Sequence, residues 1–69
     1  MLNEFYLVIT DRYDPYEETL EDTFDFEFEA LDYADDTATL YGVNFCKVVR
    51  VSNGDQKLIA FYPGQHIKP

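Results

Sequence analysis

Residues 23–30, Thr-Phe-Asp-Phe-Glu-Phe-Glu-Ala, alternate apolar and acidic side chains: Phe24, Phe26, Phe28 and Ala30 fall on one side, Asp25, Glu27 and Glu29 on the other. A period of two is the signature of a half-buried strand. The stretch therefore predicts a strand with an all-acidic outer face, its carboxylates following one another at about 6.6 Å, twice the strand rise. That interval is comparable with the spacing of phosphates along a nucleic-acid strand.

Working outward, the pattern turns helical from Asp32 to Tyr41. Asp32 stands as N-cap, Asp35 and Asp36 fall in the first turns, Ala34 and Ala38 are four apart, and Gly42 is placed to end the helix. Such a short helix depends on packing through its alanines, Leu40 and a tyrosine. Before the strand, residues 11–22 (DRYDPYEETLED) align Asp14, Pro15 and Glu17 as N-cap, first-turn proline and capping-box acid, which predicts one helical turn or an ordered acidic loop anchored by Tyr16 and Leu20. Phe5 to Thr10 (FYLVIT) predicts a well-buried strand, with Phe5, Leu7 and Ile9 on one face and Tyr6, Val8 and Thr10 on the other.

Asn53-Gly54 lies between Phe45–Ser52 and Gln56–Tyr62, and it is the dipeptide best suited to a type I′ turn. The resulting hairpin pairs Val49 with Leu58 and Phe45 with Tyr62 on one face, and Val48 with Ile59 and Arg50 with Lys57 on the other. The first face is the more continuous and is expected to meet the helix; the second, with Val48, Ile59 and Phe61, is expected to be covered by the first strand or by a second copy. The reading is a single α+β domain over residues 1–69, with a small antiparallel β-sheet ordered strand, strand, helix, β-hairpin, one helix packed on one face, and a flexible tail from about residue 63.

Sixty-nine residues bury a modest fraction of their surface, so the stability margin is thin; six Phe and six Tyr are expected to offset this with large buried areas. The net charge is −9 and unevenly placed. Residues 1–36 hold thirteen acids against Arg12 alone, a balance of −12, and residues 37–69 hold Asp55 against Lys47, Arg50, Lys57 and Lys68, a balance of +3. Such polarity suggests one acidic region with a purpose and disfavours direct binding of nucleic acid or an anionic membrane. The expected partner is a basic protein surface.

No catalytic constellation is visible. His66 stands in the tail without a serine or cysteine partner, and the lone Cys46 lies mid-strand, where inert burial is expected and no intrachain disulfide can form. An exposed acidic face offers no apolar pocket to split two carboxylates into an acid and a base. Neither DFEFE nor DYADD has the central glycine or the spacing of a calcium loop. The expectation is no enzyme, no metal and no cofactor. With no basic-then-apolar leader and no apolar run of about 20 residues, the expected location is the cytoplasm.

The candidate binding residues are Asp25, Glu27 and Glu29 on the strand, Asp32, Asp35 and Asp36 at the helix start, and Glu17, Glu18, Glu21 and Asp22 at the acidic turn. Tyr6, Tyr13, Tyr16, Tyr33 and Tyr62 add a feature common at protein interfaces. Acidic outer faces also solubilise strands and guard sheet edges, which is the plainer reading of the same pattern.

In size, lone cysteine, the acidic FDFEFEA stretch leading into LDYADDTATLYG, and the closing hairpin VVRVSNGDQKLIAFY, the chain resembles the small phage-encoded anti-CRISPR proteins, specifically the acidic DNA-mimic inhibitors of type I systems. The resemblance is one of layout and charge. It implies a stoichiometric inhibitor, in the host bacterial cytoplasm, that binds the PAM-reading subunit of a crRNA-guided surveillance complex through Asp25, Glu27, Glu29, Asp32, Asp35 and Asp36 and blocks target DNA; Arg50 and Lys57 depart from a uniformly acidic mimic. The alternatives are an antitoxin or immunity protein masking a basic nuclease, or a structural acidic module. A monomer or weak homodimer is expected.

Overall fold

The computed structural model describes residues 4–13 and 16–65. Five elements follow one another: β1 (Glu4–Tyr13), β2 (Tyr16–Phe24), α1 (Glu27–Thr37), β3 (Val43–Ser52) and β4 (Asp55–Pro63). The strands form one antiparallel sheet in the order β2-β1-β3-β4, and α1 crosses one face of it. The α+β class and the order strand, strand, helix, hairpin are those expected. The second strand and the helix both lie earlier in the chain.

The decisive stretch is not a strand. Phe24 ends β2, Asp25 and Phe26 form a bend, and Glu27 opens the helix. Phe26, at the N-cap, and Phe28 are 59% and 70% exposed, so the three phenylalanines do not share a buried face. A 3.6-residue period prevails because Ala30, Ala34 and Ala38 recur every fourth position, and their small side chains let the helix settle onto the sheet, where all three are buried. The helix ends at Thr37, well before Gly42, whose φ of +92° turns the chain into β3.

Residues 16–22, expected as a helical turn or loop, form most of β2 instead, with Glu17 opposite Arg12. Asp14 and Pro15, the expected cap and first-turn proline, lie outside the described residues. The sequence YEETLEDTF has little intrinsic strand preference. It is extended because β1 is apolar on both faces and pairs along both edges, with β2 on one side and β3 on the other.

The core lies between α1 and the sheet: Tyr6 and Val8 of β1 and Cys46 and Val48 of β3 meet Ala30, Ala34 and Ala38, flanked by Phe24, Leu31, Ile59, Ala60 and Tyr62. Thr10 is fully buried among them, its Oγ1 donating to the Thr19 carbonyl at 3.5 Å. The core is built of small side chains. Among the aromatic rings whose burial is described, only Tyr6 is fully within the core and Phe24 and Tyr62 pack against it; Phe5, Phe26, Phe28, Tyr33, Tyr41 and Phe61 are exposed, so the aromatic residues enlarge the core less than expected.

The β3–β4 hairpin forms with φ of +52° at Asn53 and +87° at Gly54, the two positive values that a type I′ turn requires. Val49 pairs with Leu58 and Arg50 with Lys57, as the turn dictates. Between Val48 and Val49 the register slips at a bulge, so Ala60, not Ile59, opposes Val48, and Tyr62 opposes Cys46 while Phe45 meets Pro63. One inserted residue reverses every later side chain. Tyr62 thereby joins the helix side and Phe61 leaves it, while Phe45, Val49 and Leu58, expected to meet the helix, occupy the opposite face because β3 pairs Val48 with Val8 in the core under α1, where Ile59 also packs.

Two more bulges interrupt the ladder, at Val8/Ile9 opposite Glu21 and at Asp11/Arg12 opposite Asn44, whose Nδ2 donates to Asp11 Oδ2 at 3.0 Å. The tail expected to loosen from about residue 63 is still held at Gly64 and Gln65. The Gly64 amide donates to the Asn44 carbonyl at 2.7 Å, and the Gln65 amide to the Ala38 carbonyl at 3.1 Å. Residues 66–69, with His66, lie outside the described residues.

Candidate functional site

The ten candidate acids occupy two elements and the bend between them. Glu17, Glu18, Glu21 and Asp22 lie on β2, an edge strand; Asp25 sits in the bend; Glu27, Glu29, Asp32, Asp35 and Asp36 lie on α1. The straight row expected from Asp25, Glu27 and Glu29 does not exist, because a helix turns successive residues by about 100°. The acidic surface is instead the solvent side of α1 together with the β2 edge. All ten are exposed except Glu21, which is half-buried.

The two groups differ in their pairing. On β2, Glu21 accepts from Arg12 Nη2 at 3.0 Å, and Glu18 lies 3.5 Å from Lys47 Nζ. Asp22 Oδ1 accepts from the Thr23 amide at 2.8 Å. On α1, none of the five carboxylates makes an ion pair among the described residues, and the remaining bridge, Arg50 to Glu4 at 3.7 Å, is on the sheet.

Helix position sharpens the contrast. Glu27 and Glu29 lie in the first turn, where the helix dipole favours negative charge. Asp35 and Asp36, expected in the first turns of a helix starting at Asp32, are in the last turn of one starting at Glu27. No basic residue accompanies them there. Anions at a helix C-terminus are disfavoured by about 0.3–1 kcal/mol each, and carboxylates three or four residues apart repel one another.

Tyr33 packs against Phe24 with the rings tilted by 50° and their centroids 5.3 Å apart, which turns this flank of the helix toward β2. Beside it lies an open cleft of about 590 Å³ lined by Phe24, Phe28, Tyr33, Glu29 and Asp32. An aromatic wall edged by two carboxylates suits a guanidinium or ammonium side chain, whose charge is attracted both by the ring faces and by the acids.

Cys46 is fully buried under the helix. Burial pushes its thiol from the ordinary 9.0 up to about 11, with Glu21 adding in the same direction and Arg12 opposing. Burial likewise raises the Tyr6 phenol, aided by its hydrogen bond to Glu4 Oε1 at 3.1 Å, and raises that of Tyr62, aided by Asp35. A raised pKa favours the folded state while the group stays neutral in both states, so the Cys46 contribution is complete below pH 9 and lost as pH climbs through about 11. Relative to Cys46→Ala, the natural protein should lose about 2–3 kcal/mol of unfolding free energy across that window in denaturant titrations, and its thiol should resist alkylation until the domain opens. A stability difference independent of pH would show that the thiolate is tolerated in place.

Among the described residues, no three His, Cys, Asp or Glu side chains converge as a metal site, and no helix is long and apolar enough to cross a membrane. No family model matches the chain, and no curated protein or solved structure matches it either.

Proposed function

We propose that this protein is a stoichiometric inhibitor that occupies a basic, nucleic-acid-binding surface of another protein by presenting negative charge in place of DNA. The observation that supports this most directly is the composition of α1: five carboxylates and no base, with no ion pair among the described residues and two of the acids where the helix dipole disfavours them. Charge chosen to stabilise the helix would put acids first and bases last. The arrangement costs stability, and a cationic partner returns it.

The cleft beside Tyr33 offers one anchoring point, for an arginine or lysine of the partner, and the β2 edge extends the negative surface. The resemblance to acidic anti-CRISPR inhibitors directs the proposal to the PAM-reading surface of a type I surveillance complex in the bacterial cytoplasm. The inhibitor acts by occupancy, without chemistry of its own.

The test is a competition experiment in which fluorescently labelled PAM-containing duplex, bound to a purified surveillance complex, is titrated with the protein. The expected result is displacement saturating at one protein per PAM-reading site and weakening as salt is raised, since salt screens the steering charges. Absence of displacement at low salt would abandon this target.

A further inference from the structure

Among the described residues, no element covers the face of the sheet turned away from α1. Phe5, Leu7, Leu20, Phe45, Leu58 and Phe61 lie on it by strand alternation and pairing, contributed by all four strands. Leu20, Leu58 and Phe61 are each more than half exposed, and Phe45 and Phe61 stack at 5.0 Å. An antiparallel sheet that meets water on one face normally carries polar side chains there. This one does not.

We infer that this face is the contact surface between two copies of the chain, packed sheet to sheet with both helices outside. Charge favours a second copy here over any other patch: among the described residues the face carries only Asp11, Glu18 and Lys47 as charged side chains, in a chain of net charge −9, and Lys47 is already bridged to Glu18. The face is therefore close to neutral while the helix side and the β2 edge repel a like molecule. Size is sufficient. Four strands about 4.8 Å apart and some nine residues long give a face of roughly 600 Å², so two faces bury about 1,200 Å², the lower end of specific interfaces. The sheet edges are poorer candidates, since β2 is lined with acids and β4 is kinked by the bulge at Ile59 and closed by Pro63.

In the dimer the two α1 surfaces point in opposite directions, so one assembly presents two acidic faces. The inference stands whether or not the partner proposed above is correct, and it has a distinctive salt response. Screening the like charges of the two copies should tighten the dimer, whereas binding to a basic partner should weaken with salt.

Sedimentation equilibrium of the full chain at low and high salt tests it, with Leu58→Lys and Leu20→Lys as variants on opposite edges of the face. Both side chains are exposed, so neither substitution disturbs the core, which far-UV circular dichroism checks. The expected result is a dimer mass that strengthens with salt and a dissociation constant raised at least about tenfold in each variant. A natural protein that stays monomeric at both salts overturns the inference. So does a dimer indifferent to both variants, which would place the contact at a sheet edge, and so does a monomer whose displacement of DNA is lost in Leu58→Lys, which would give the face to the partner.

Discussion

Replacing Asp32, Asp35 and Asp36 together by lysine is expected to abolish displacement of DNA from a basic surface while making the domain more stable. The two effects have one cause. Lysine has a better helix propensity than aspartate, and at positions 35 and 36 it reverses an unfavourable interaction with the helix C-terminus. The three substitutions also take the net charge from −9 to −3, which relieves self-repulsion. Together these should add about 1–2 kcal/mol and raise the melting temperature by about 5 °C or more for a domain of this size. Binding should fall by at least about 100-fold, because three attractive contacts become repulsive. A triple variant that displaces DNA as well as the natural protein would remove α1 from the binding surface; one that is less stable would show that the aspartates serve the fold.

Gly64→Ala should produce the largest loss of stability of any single conservative change. A Cβ at this position would lie 1.9 Å from the Val43 carbonyl oxygen and 2.9 Å from that of Asn44, both backbone atoms that no rotamer change can move aside. The segment would have to leave β3, giving up the Gly64 to Asn44 and Gln65 to Ala38 hydrogen bonds, the second of which ties the chain to the end of α1. A cost of at least about 2–3 kcal/mol is expected, a large part of the roughly 3–10 kcal/mol available to a chain of this length. Gly54→Ala provides the comparison. Its Cβ meets nothing within 4 Å, and only the φ of +87° is strained, for about 1 kcal/mol. Equal melting temperatures for the two variants would mean that the chain end peels away without disturbing the domain.

The acidic composition of the α1 and β2 regions and the exposed aromatic rings belong to the same economy. A 69-residue chain has few side chains to spare for a core, and here the core is filled by Val8, Val43, Val48, Thr10 and Cys46, with three alanines above. Phenylalanines that could have enlarged it stand on the surface, at the start of α1 and on the uncovered sheet face. Large exposed apolar side chains beside carboxylates are the surface features on which both the proposed inhibitor and the inferred dimer rest.

The amino-acid sequence alone determined what local rules can decide. Asn53-Gly54 placed the second hairpin because only residues tolerant of positive φ make that turn, and FYLVIT marked β1 because β-branched and aromatic side chains suit an extended chain buried on both faces. The element order and the acidic character of the first half of the chain followed. Tertiary structure decided the conformation of the acids themselves. In FDFEFEA the period-two alternation competed with the four-residue spacing of Ala30, Ala34 and Ala38, and burial of the alanines against the sheet outweighed it. YEETLEDTF became a strand because β1 offered a free edge. Which hairpin face meets the helix was set by the pairing of β3 with β1, which places Val48 beside Val8 under α1, and the bulge at Ile59 then exchanged the faces of Phe61 and Tyr62 beyond it. Such choices depend on contacts between segments distant in the chain, and no local pattern encodes them.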